Sequence, residues 1–403
     1  MLEKPTSPFA GPRQLAADFG GSYAASGLVA FIFAASGPVA IILAVGAQGG
    51  LSESDLASWI FGSFFINGLI SIAFCLRYRE PLVFFWSIPG AVLVGPALGH
   101  LSFPEVIGAF VACGVLMLAL GLSGWVRRCT EAAPMPIVMA MVAGVFLRFG
   151  LDLVYAVRDG FVIAAPMVAA FVLLSVFKRA GQWLSPLIGA LVAGALAIFL
   201  SGSFDTKNQD LLILAPPTVY LPVFSWQAMV ELVVPLAITV LVVQNGQGFA
   251  VLSAAGHRPP INAIAAACGA GSIVTAFVGS VSTCLTGPVN AIISSSGDKH
   301  RHYTAGVLVG ILALGFGLMS PFFTRLLLST PAAFIAALGG LAMLRVLQTA
   351  FGVAFSGKFT LGALVTFLVT VADVPIFNVG AAFWGLVFGF AASWLLERGD
   401  FRR

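Results

Sequence analysis

Long apolar segments follow one another along almost the whole chain, separated by short polar connections. A helix that crosses the hydrocarbon core of a membrane needs about 20 mostly apolar residues. Stretches of this kind occur near residues 22–47, 56–76, 104–126, 134–151, 160–177, 183–201, 226–252, 260–279, 303–328, 332–350, 359–372 and 375–396. Only 9% of the 403 residues are charged, whereas about 25% is usual in a soluble domain. These features predict an all-α integral membrane protein.

Two more apolar stretches, near 81–99 and 280–297, are interrupted in the middle by Gly, Pro, Ser and Thr. Counting them gives fourteen segments, which a polar stretch after residue 201 divides into two sets of seven. An odd number per half gives the halves opposite orientations, and the interrupted segments are 3 and 10. Matching interruptions in inverted repeats indicate a transporter with its site near the membrane midplane. The alternative is that Gly and Pro are simply frequent in membrane helices.

The distribution of basic residues predicts the orientation. With the N-terminus inside, sixteen of the twenty Lys and Arg residues fall in inside connections and four fall outside. Cytoplasmic connections are enriched in Lys and Arg, so we expect both termini in the cytoplasm.

Several classes of protein are disfavoured. The chain has no basic run typical of a nucleic-acid groove, and its five cysteines are not spaced as metal ligands, so they are interpreted as reduced, buried thiols. A nucleophile–base or metal constellation is also missing. We therefore expect no nucleic-acid partner, no metal and no cofactor, and we do not expect an enzyme.

Both interrupted segments are predicted to contain a short extended stretch followed by a half-helix. In segment 3, residues 82–86 favour an extended run, Ser87 suits a helix cap and Pro89 suits the first turn. Thr286 and Pro288 have the same spacing in segment 10. The free N–H groups of the two helix starts carry partial positive charge. They would face one central site and attract a carboxylate without a buried Lys or Arg.

Segment 8 contains three amides, Gln244, Asn245 and Gln247. Gln244, Gln247 and Gly248 lie three and four residues apart and would share one face of an α-helix. Amides in an apolar span are costly unless they find partners. We interpret them as a polar wall that binds a substrate, and the alternative is interhelical hydrogen bonding alone.

Segment 1 has a kink at Gly37 and Pro38, preceded by Phe33 and Ser36. The kink would open a polar notch, and the Phe33 ring would stack on an aromatic substrate. The alternative is a lipid-facing or core ring, because the chain contains 35 Phe.

Ionisable residues within the segments are few. Glu231 begins segment 8 and is expected near the outer surface, and we interpret His100, His257, His300 and His302, near segment ends, as solvated. No carboxylate falls at the predicted site, so no side-chain proton carrier is evident.

The sequence resembles the benzoate/proton symporter family (BenE-type membrane transport proteins). Four stretches carry the resemblance: residues 242–252, 255–262, 86–91 and 95–99. The resemblance covers nearly the whole chain and implies import of benzoate with a proton across the bacterial inner membrane.

More distantly, the chain is similar to uracil- and xanthine-type nucleobase transporters and to sulfate/anion exchangers. Their fold of seven plus seven inverted segments implies short strands in segments 3 and 10. It also implies a core domain of residues 1–130 and 226–328 and a gate domain of residues 131–203 and 329–397. The nucleobase relatives have carboxylates in segments 8 and 10, where this chain has amides. That departure fits an anionic substrate.

The resulting hypothesis is a secondary transporter that binds an aromatic carboxylate. The ring would lie near Phe33 and Ile88, and the carboxylate would meet the N–H groups of Gly90 and Gly287. The expected substrate-binding residues are Phe33, Ser36, Ser87, Ile88, Gly90, Gln244, Asn245, Gln247, Thr286, Gly287 and Asn290. The expected partners are the substrate, a coupling proton and the lipid bilayer, with a homodimer left open. The alternatives are a transporter of another anion or a nucleobase, and a passive anion channel of the same fold.

Overall fold

The computed structural model describes residues 2–5, 8–126, 134–177, 186–204, 213–214, 216–295, 297–374, 376 and 381–401. The chain forms two compact units, each built from several stretches of sequence. Unit 1 comprises Met1–Phe31, Ala57–Pro134 and Leu214–Ser320, and unit 2 comprises Ile32–Leu56, Met135–Ile213 and Pro321–Arg403.

Helices account for most of the described residues. The first seven segments contain the helices Gly21–Ala35 and Gly37–Gln48 (segment 1), Glu53–Phe61 and Asn67–Tyr78 with the π-helical stretch Gly62–Ile66 between them (2), Ile88–Ala97 (3), Phe103–Ser123 (4), Met135–Asp159 (5), Phe161–Val176 (6) and Pro186–Ser201 (7). The others contain Trp226–Ala254 (8), Ile261–Ala276 (9), Gly287–Ile293 (10), His302–Leu318 and Ser320–Leu328 (11), Ala332–Ala354 (12), Thr360–Ala372 (13) and Ala381–Leu396 (14). The predicted all-α membrane protein of fourteen segments is confirmed.

Segments 3 and 10 each contain a strand followed by a short helix. Strand β1 (Phe84–Trp86) precedes the helix Ile88–Ala97, and strand β2 (Thr283–Leu285) precedes the helix Gly287–Ile293. We call these helices the segment-3 and segment-10 half-helices. The strands pair antiparallel, with Phe85 opposite Cys284. Antiparallel pairing of corresponding strands agrees with the predicted inverted repeat.

Unit 1 packs around this strand pair. All six strand residues are buried, and the ring of Phe64 in segment 2 contacts Phe85, Trp86 and Phe316 at centroid distances of 5.2, 5.0 and 4.5 Å. Segments 4 and 9 approach closely through glycine, since a Cβ at Gly121 would lie 2.5 Å from the Ala266 nitrogen. Small residues allow such backbone contact between membrane helices.

Unit 2 has its own apolar core. Segments 5, 6, 7 and 12 contribute the buried side chains Leu153, Ala156, Ile163, Ala164, Met167, Leu187, Ala190, Ile198, Phe334, Ala337, Leu338 and Leu341. Segments 5 and 12 meet at Gly340, where a Cβ would lie 2.7 Å from the Phe149 carbonyl oxygen. In segment 13, the Thr366 hydroxyl donates to the Gly385 carbonyl of segment 14 at 2.9 Å.

Some features differ from the predictions. Segment 8 was expected to be a regular helix, but Met229–Val233 and Thr239–Gln244 are π-helical. Segment 11 is divided after Leu318. The described cysteines are free and buried as predicted, and Cys129 lies outside the described residues.

Candidate functional site

The strand pair and the two half-helices form a local two-fold arrangement in unit 1. The Ser87 N–H donates to the Ser282 carbonyl at 2.9 Å, and the Thr286 N–H donates to the Val83 carbonyl at 3.1 Å. These bonds extend the ladder by one pair at each end, so residues 83–87 correspond to 282–286. Because the strands run antiparallel, the half-helices start at opposite ends of the pair and extend in opposite directions.

Two serines from the preceding segments anchor the strands. Ser71 Oγ accepts from the Phe84 N–H at 2.8 Å, and Ser272 Oγ accepts from the Thr283 N–H at 2.9 Å. Each hydroxyl donates to the carbonyl four residues earlier, at 2.7 and 2.6 Å. Each serine thus satisfies an edge N–H that the short ladder leaves without a strand partner. Sequence reasoning missed both, because small hydroxyl residues are common in membrane helices.

Asn290 ties the segment-10 half-helix to strand β1. Its Oδ1 accepts from the Val83 N–H at 3.0 Å, and its Nδ2 donates to the Val83 and Thr286 carbonyls at 3.0 and 2.8 Å. The side chain is fully buried. Asn290 was predicted to contact substrate, and in this structure its amide is engaged by the backbone around the site.

Asn245 supports strand β2 in the same way. Its Oδ1 accepts from the Leu285 N–H at 2.7 Å, and its Nδ2 lies 3.5 Å from the Cys268 sulfur. This residue is also fully buried. Both asparagines therefore orient the half-helices in this structure.

The start of the segment-3 half-helix follows the prediction closely. Ser87 is the N-cap, and its Oγ accepts from the Gly90 N–H at 3.1 Å. The same hydroxyl lies 3.5 Å from Thr239 Oγ1 in segment 8. Ile88 is half-buried, and its N–H belongs to the first turn, where N–H groups lack partners within the helix.

Thr286 is the N-cap of the segment-10 half-helix, but the predicted side-chain cap is wrong, because its hydroxyl accepts no backbone N–H there. Thr286 Oγ1 and Trp86 Nε1 are buried and have no hydrogen-bond partner among the described residues. Trp86 lies opposite Thr283 at one end of the strand pair. Thr286 donates its N–H to Val83 at the other end, so the Trp86 Nε1 and Thr286 hydroxyl groups lie near opposite ends of the pair. A buried polar group without a partner costs about 1–3 kcal/mol, and a bound ligand can satisfy it.

The first turn of the segment-10 half-helix lies against segment 8. A Cβ at Gly287 would lie 2.6 Å from Gln247 Cγ, and a Cβ at Gly248 would lie 2.7 Å from Leu285 Cδ2. The structure thus brings the exposed residue Gln247 to Gly287, while Gln244 is 93% buried at the end of the π-helical stretch.

Phe33 and Ser36 belong to unit 2. Phe33 packs beside the apolar core of that unit, and Ser36 Oγ donates to the Phe33 carbonyl at 3.1 Å. The other nine predicted site residues belong to unit 1. The role of Phe33 as a stacking ring remains a prediction.

The strand-and-half-helix region is uncharged. Residues 82–98 and 280–295 contain no Lys, Arg, Asp or Glu. Throughout the chain's described part, no group of three His, Cys, Asp or Glu side chains is placed to bind a metal. Backbone N–H groups, hydroxyls and amides supply the polar character of the site.

Several ionisable residues differ from their predicted setting. Glu231 is buried, and its Oε2 lies 2.9 Å from His100 Nε2, so His100 is not simply solvated. His257 and His302 are likewise buried, with ring nitrogens 3.1 Å apart. Burial, with His302 and Lys299 nearby, lowers the pKa of His257 to about 4. These pairs join residues distant in sequence, and no local pattern signals them.

The fold and site define a membrane transporter of the class with two inverted sets of seven segments. The family model described as "Benzoate membrane transport protein" (BenE) matches residues 17–395. The chain belongs to this family of membrane transporters, which are not enzymes.

Two curated relatives resemble the chain over most of its length. "Inner membrane protein YdcO" of Escherichia coli (strain K12) is 27% identical and covers 90% of this chain and 93% of its own. "Benzoate membrane transport protein" of Acinetobacter baylyi is 26% identical and covers 95% of this chain and 97% of its own.

Solved structures resemble it in fold. The transmembrane domain of a cyanobacterium bicarbonate transporter, BicA, matches with a TM-score of 0.62 and 14% identity over 91% of this chain and 97% of that one. The murine Slc26a9 anion transporter in the inward-facing state gives a TM-score of 0.62 and 15% identity over 95% and 69%. At these identities the likeness concerns the fold alone.

Proposed function

We propose that this chain imports benzoate or a similar aromatic carboxylate, together with a proton, across a bacterial inner membrane. The observation that carries the proposal is the buried, uncharged strand pair from whose opposite ends two half-helices start. Helix N-termini favour anions and do not require a lysine or arginine. The relatives named for benzoate transport and for the inner membrane support the substrate and the location.

In this proposal the carboxylate is bound by groups that have free hydrogen-bonding capacity. These are the Thr286 hydroxyl and the amides of Gln244 and Gln247, while the first-turn N–H groups beside Ser87 and Gly90 attract the same charge from the opposite helix start. The ring would contact Ile88 in unit 1, and contacts of substrate with Phe33 and Ser36 in unit 2 remain a prediction.

Asn245 and Asn290 act in the proposal as positioning residues. Each bonds the backbone of a strand, so each fixes the direction in which a half-helix presents its first turn. Replacing either would disturb the site without removing a direct contact to substrate.

We further propose that unit 1 is the moving core and unit 2 the gate, in an elevator-like or rocking cycle. The interleaved sequence of the two units supports the assignment, because each takes stretches from both halves of the chain. The excess of Lys and Arg in inside connections supports cytoplasmic termini. A homodimer remains a prediction.

Labelled-benzoate uptake into proteoliposomes tests the function. We expect saturable uptake that becomes faster when the lumen is made alkaline. An uptake rate that does not depend on the proton gradient would contradict proton symport. Gln244→Leu should raise the KM about tenfold or more, because a hydrogen bond to a charged group contributes about 1.5–3 kcal/mol. Gln48→Leu is the matched control, since Gln48 is an exposed amide at the end of segment 1.

A second candidate is transport of a small inorganic anion. The fold shared with a bicarbonate transporter favours it, and so does a site that binds negative charge through N–H groups alone. Competition of labelled-benzoate uptake by bicarbonate, sulfate, uracil and substituted benzoates separates these substrates. Passive, unsaturable flux would instead support a channel.

A further inference from the structure

Of the acidic side chains that the structure describes, Glu231 alone is fully buried, with 5% of its surface exposed. It lies in the π-helical stretch Met229–Val233, within an apolar segment. A carboxylate in such a position is costly unless it is paired or protonated, and ionisable groups inside membrane segments commonly serve in transport. π-Helical stretches also concentrate at functional sites.

The partner of Glu231 is His100, a histidine that is itself partly exposed. His100 Nε2 lies 2.9 Å from Glu231 Oε2, and 32% of the His100 side chain is exposed. A partly exposed imidazole beside a buried acid can pass a proton to and from that acid. The two residues are 131 positions apart and come from segments 3–4 and 8.

The surroundings contain few other charges. The stretch around Glu231 packs against segment 4, the segment-3 half-helix and the adjoining turns of segment 8. On these elements the charged residue nearby is Glu105, which interacts electrostatically with His100. The Glu105 carboxylate accepts from the Ser102 N–H and hydroxyl at 2.9 and 2.7 Å.

We propose that the Glu231–His100 pair is the proton-binding site of this transporter, an inference that rests on the proposed function. A proton from water binds between His100 Nε2 and Glu231 Oε2, and the charge of the pair changes from −1 to 0. A bound carboxylate substrate adds −1. Unit 1 carrying both therefore has the same charge as the empty, unprotonated unit, whereas substrate alone would leave an extra buried negative charge.

The proton and the substrate occupy different places on one segment. Glu231 precedes Gln244 by thirteen residues, or roughly 20 Å at the rise of a helix. Each residue lies in one of the two π-helical stretches of segment 8. Coupling then acts through segment 8 and through charge, without contact between proton and substrate.

The test compares two assays in proteoliposomes. Uptake driven by a pH gradient needs the proton site, whereas counterflow of labelled against unlabelled benzoate, at equal pH on both sides, needs only the substrate site. In Glu231→Gln, the stimulation of uptake by the pH gradient should be at least tenfold smaller than in the wild type. The counterflow rate should stay within about twofold of the wild-type rate. A pH-sensitive dye in the lumen should show that proton entry with benzoate is lost as well.

Glu105→Gln is the matched control, a more exposed carboxylate near the same end, and it should keep the gradient response. Gradient stimulation that survives in Glu231→Gln would overturn the inference, and so would loss of counterflow in a correctly folded variant. If that variant does not fold, His100→Gln takes its place: it should shift the pH midpoint of gradient-driven uptake by about one unit or more, and an unmoved midpoint overturns the proposal. Absence of counterflow in the wild type would instead contradict the proposed function.

Discussion

The two half-helices share a backbone arrangement but are stabilised by different side chains. The segment-3 half-helix has ten residues and a serine cap whose hydroxyl accepts from the Gly90 N–H. The segment-10 half-helix has seven residues, and its Thr286 side chain does not cap it. Asn290 instead ties it to strand β1. The corresponding residue in segment 3 is Ala91, which has no polar side chain to do so.

This difference indicates which end of the strand pair has polar groups available to bind a ligand. The Ser87 hydroxyl is used by the helix it caps, whereas the Thr286 hydroxyl has no partner among the described residues, and the amide of the exposed residue Gln247 lies beside Gly287. We therefore expect the carboxylate to bind nearer segment 10 and the ring nearer Ile88.

The largest effect is expected from Asn290→Ala. The change leaves the Val83 N–H buried without a partner and opens a cavity, which together should lower the free energy of unfolding by about 3 kcal/mol. Benzoate transport should fall to a small fraction of the wild type. The apparent melting temperature in detergent, followed by tryptophan fluorescence, checks the first effect. Ser295→Ala, an exposed change two residues beyond the same half-helix, is the control.

The two strand-anchoring serines should behave alike. Ser71→Ala and Ser272→Ala each leave one buried strand N–H unsatisfied, at a cost of about 2 kcal/mol. Similar decreases in melting temperature would support the two-fold arrangement of the backbone. A much larger loss in one of them would show that the symmetry does not extend to stability.

The contact between segments 3 and 10 at Asn290 was not visible in the sequence, although the half-helices were. Pro89 and Pro288 mark where a helix can begin, because proline suits the first turn. Each lies two residues after a hydroxyl residue that follows an extended run. No comparable local rule places Val83 beside Asn290, which is 207 residues away. Such pairings depend on how strands from distant segments meet.

Segment 8 shows the same limit in another form. Gln244 and Gln247 were predicted to share one α-helical face, but the π-helical stretch that ends at Gln244 was not predicted, and neither was the bond of Asn245 to strand β2. Hydrophobic periodicity predicts that a helix exists, but one extra residue in a turn leaves little trace in an almost uniformly apolar segment. The pairing of buried Glu231 with His100 was missed because burial of an acid depends on a partner 131 residues away.

Glycines at the two helix starts provide a sharper contrast. A Cβ at Gly287 would lie 2.6 Å from the Gln247 side chain, whereas one at Gly90 would lie 3.1 Å from Leu236 Cδ2. Gly287→Ala should therefore destabilise by about 1–2 kcal/mol through overpacking and raise the KM several-fold, with Gly90→Ala milder.

The double variant Gly287→Ala with Gln247→Ala tests the cause. Removing the Gln247 side chain relieves the overlap, so the melting temperature should recover while the KM stays high. Failure to recover would mean that the strain lies in the backbone of the half-helix.

The smallest effect separates capping from binding. Ser87→Ala removes a cap and should cost about 1 kcal/mol of stability, as N-cap losses usually do. Thr286→Val removes a hydroxyl that caps nothing, so the melting temperature should change little while the KM for benzoate rises. Melting curves and uptake kinetics give a melting temperature and a KM for each of the two variants. If Thr286→Val lowered stability as much as Ser87→Ala and left the KM unchanged, the two half-helix starts would be equivalent, and the carboxylate would have no reason to prefer segment 10.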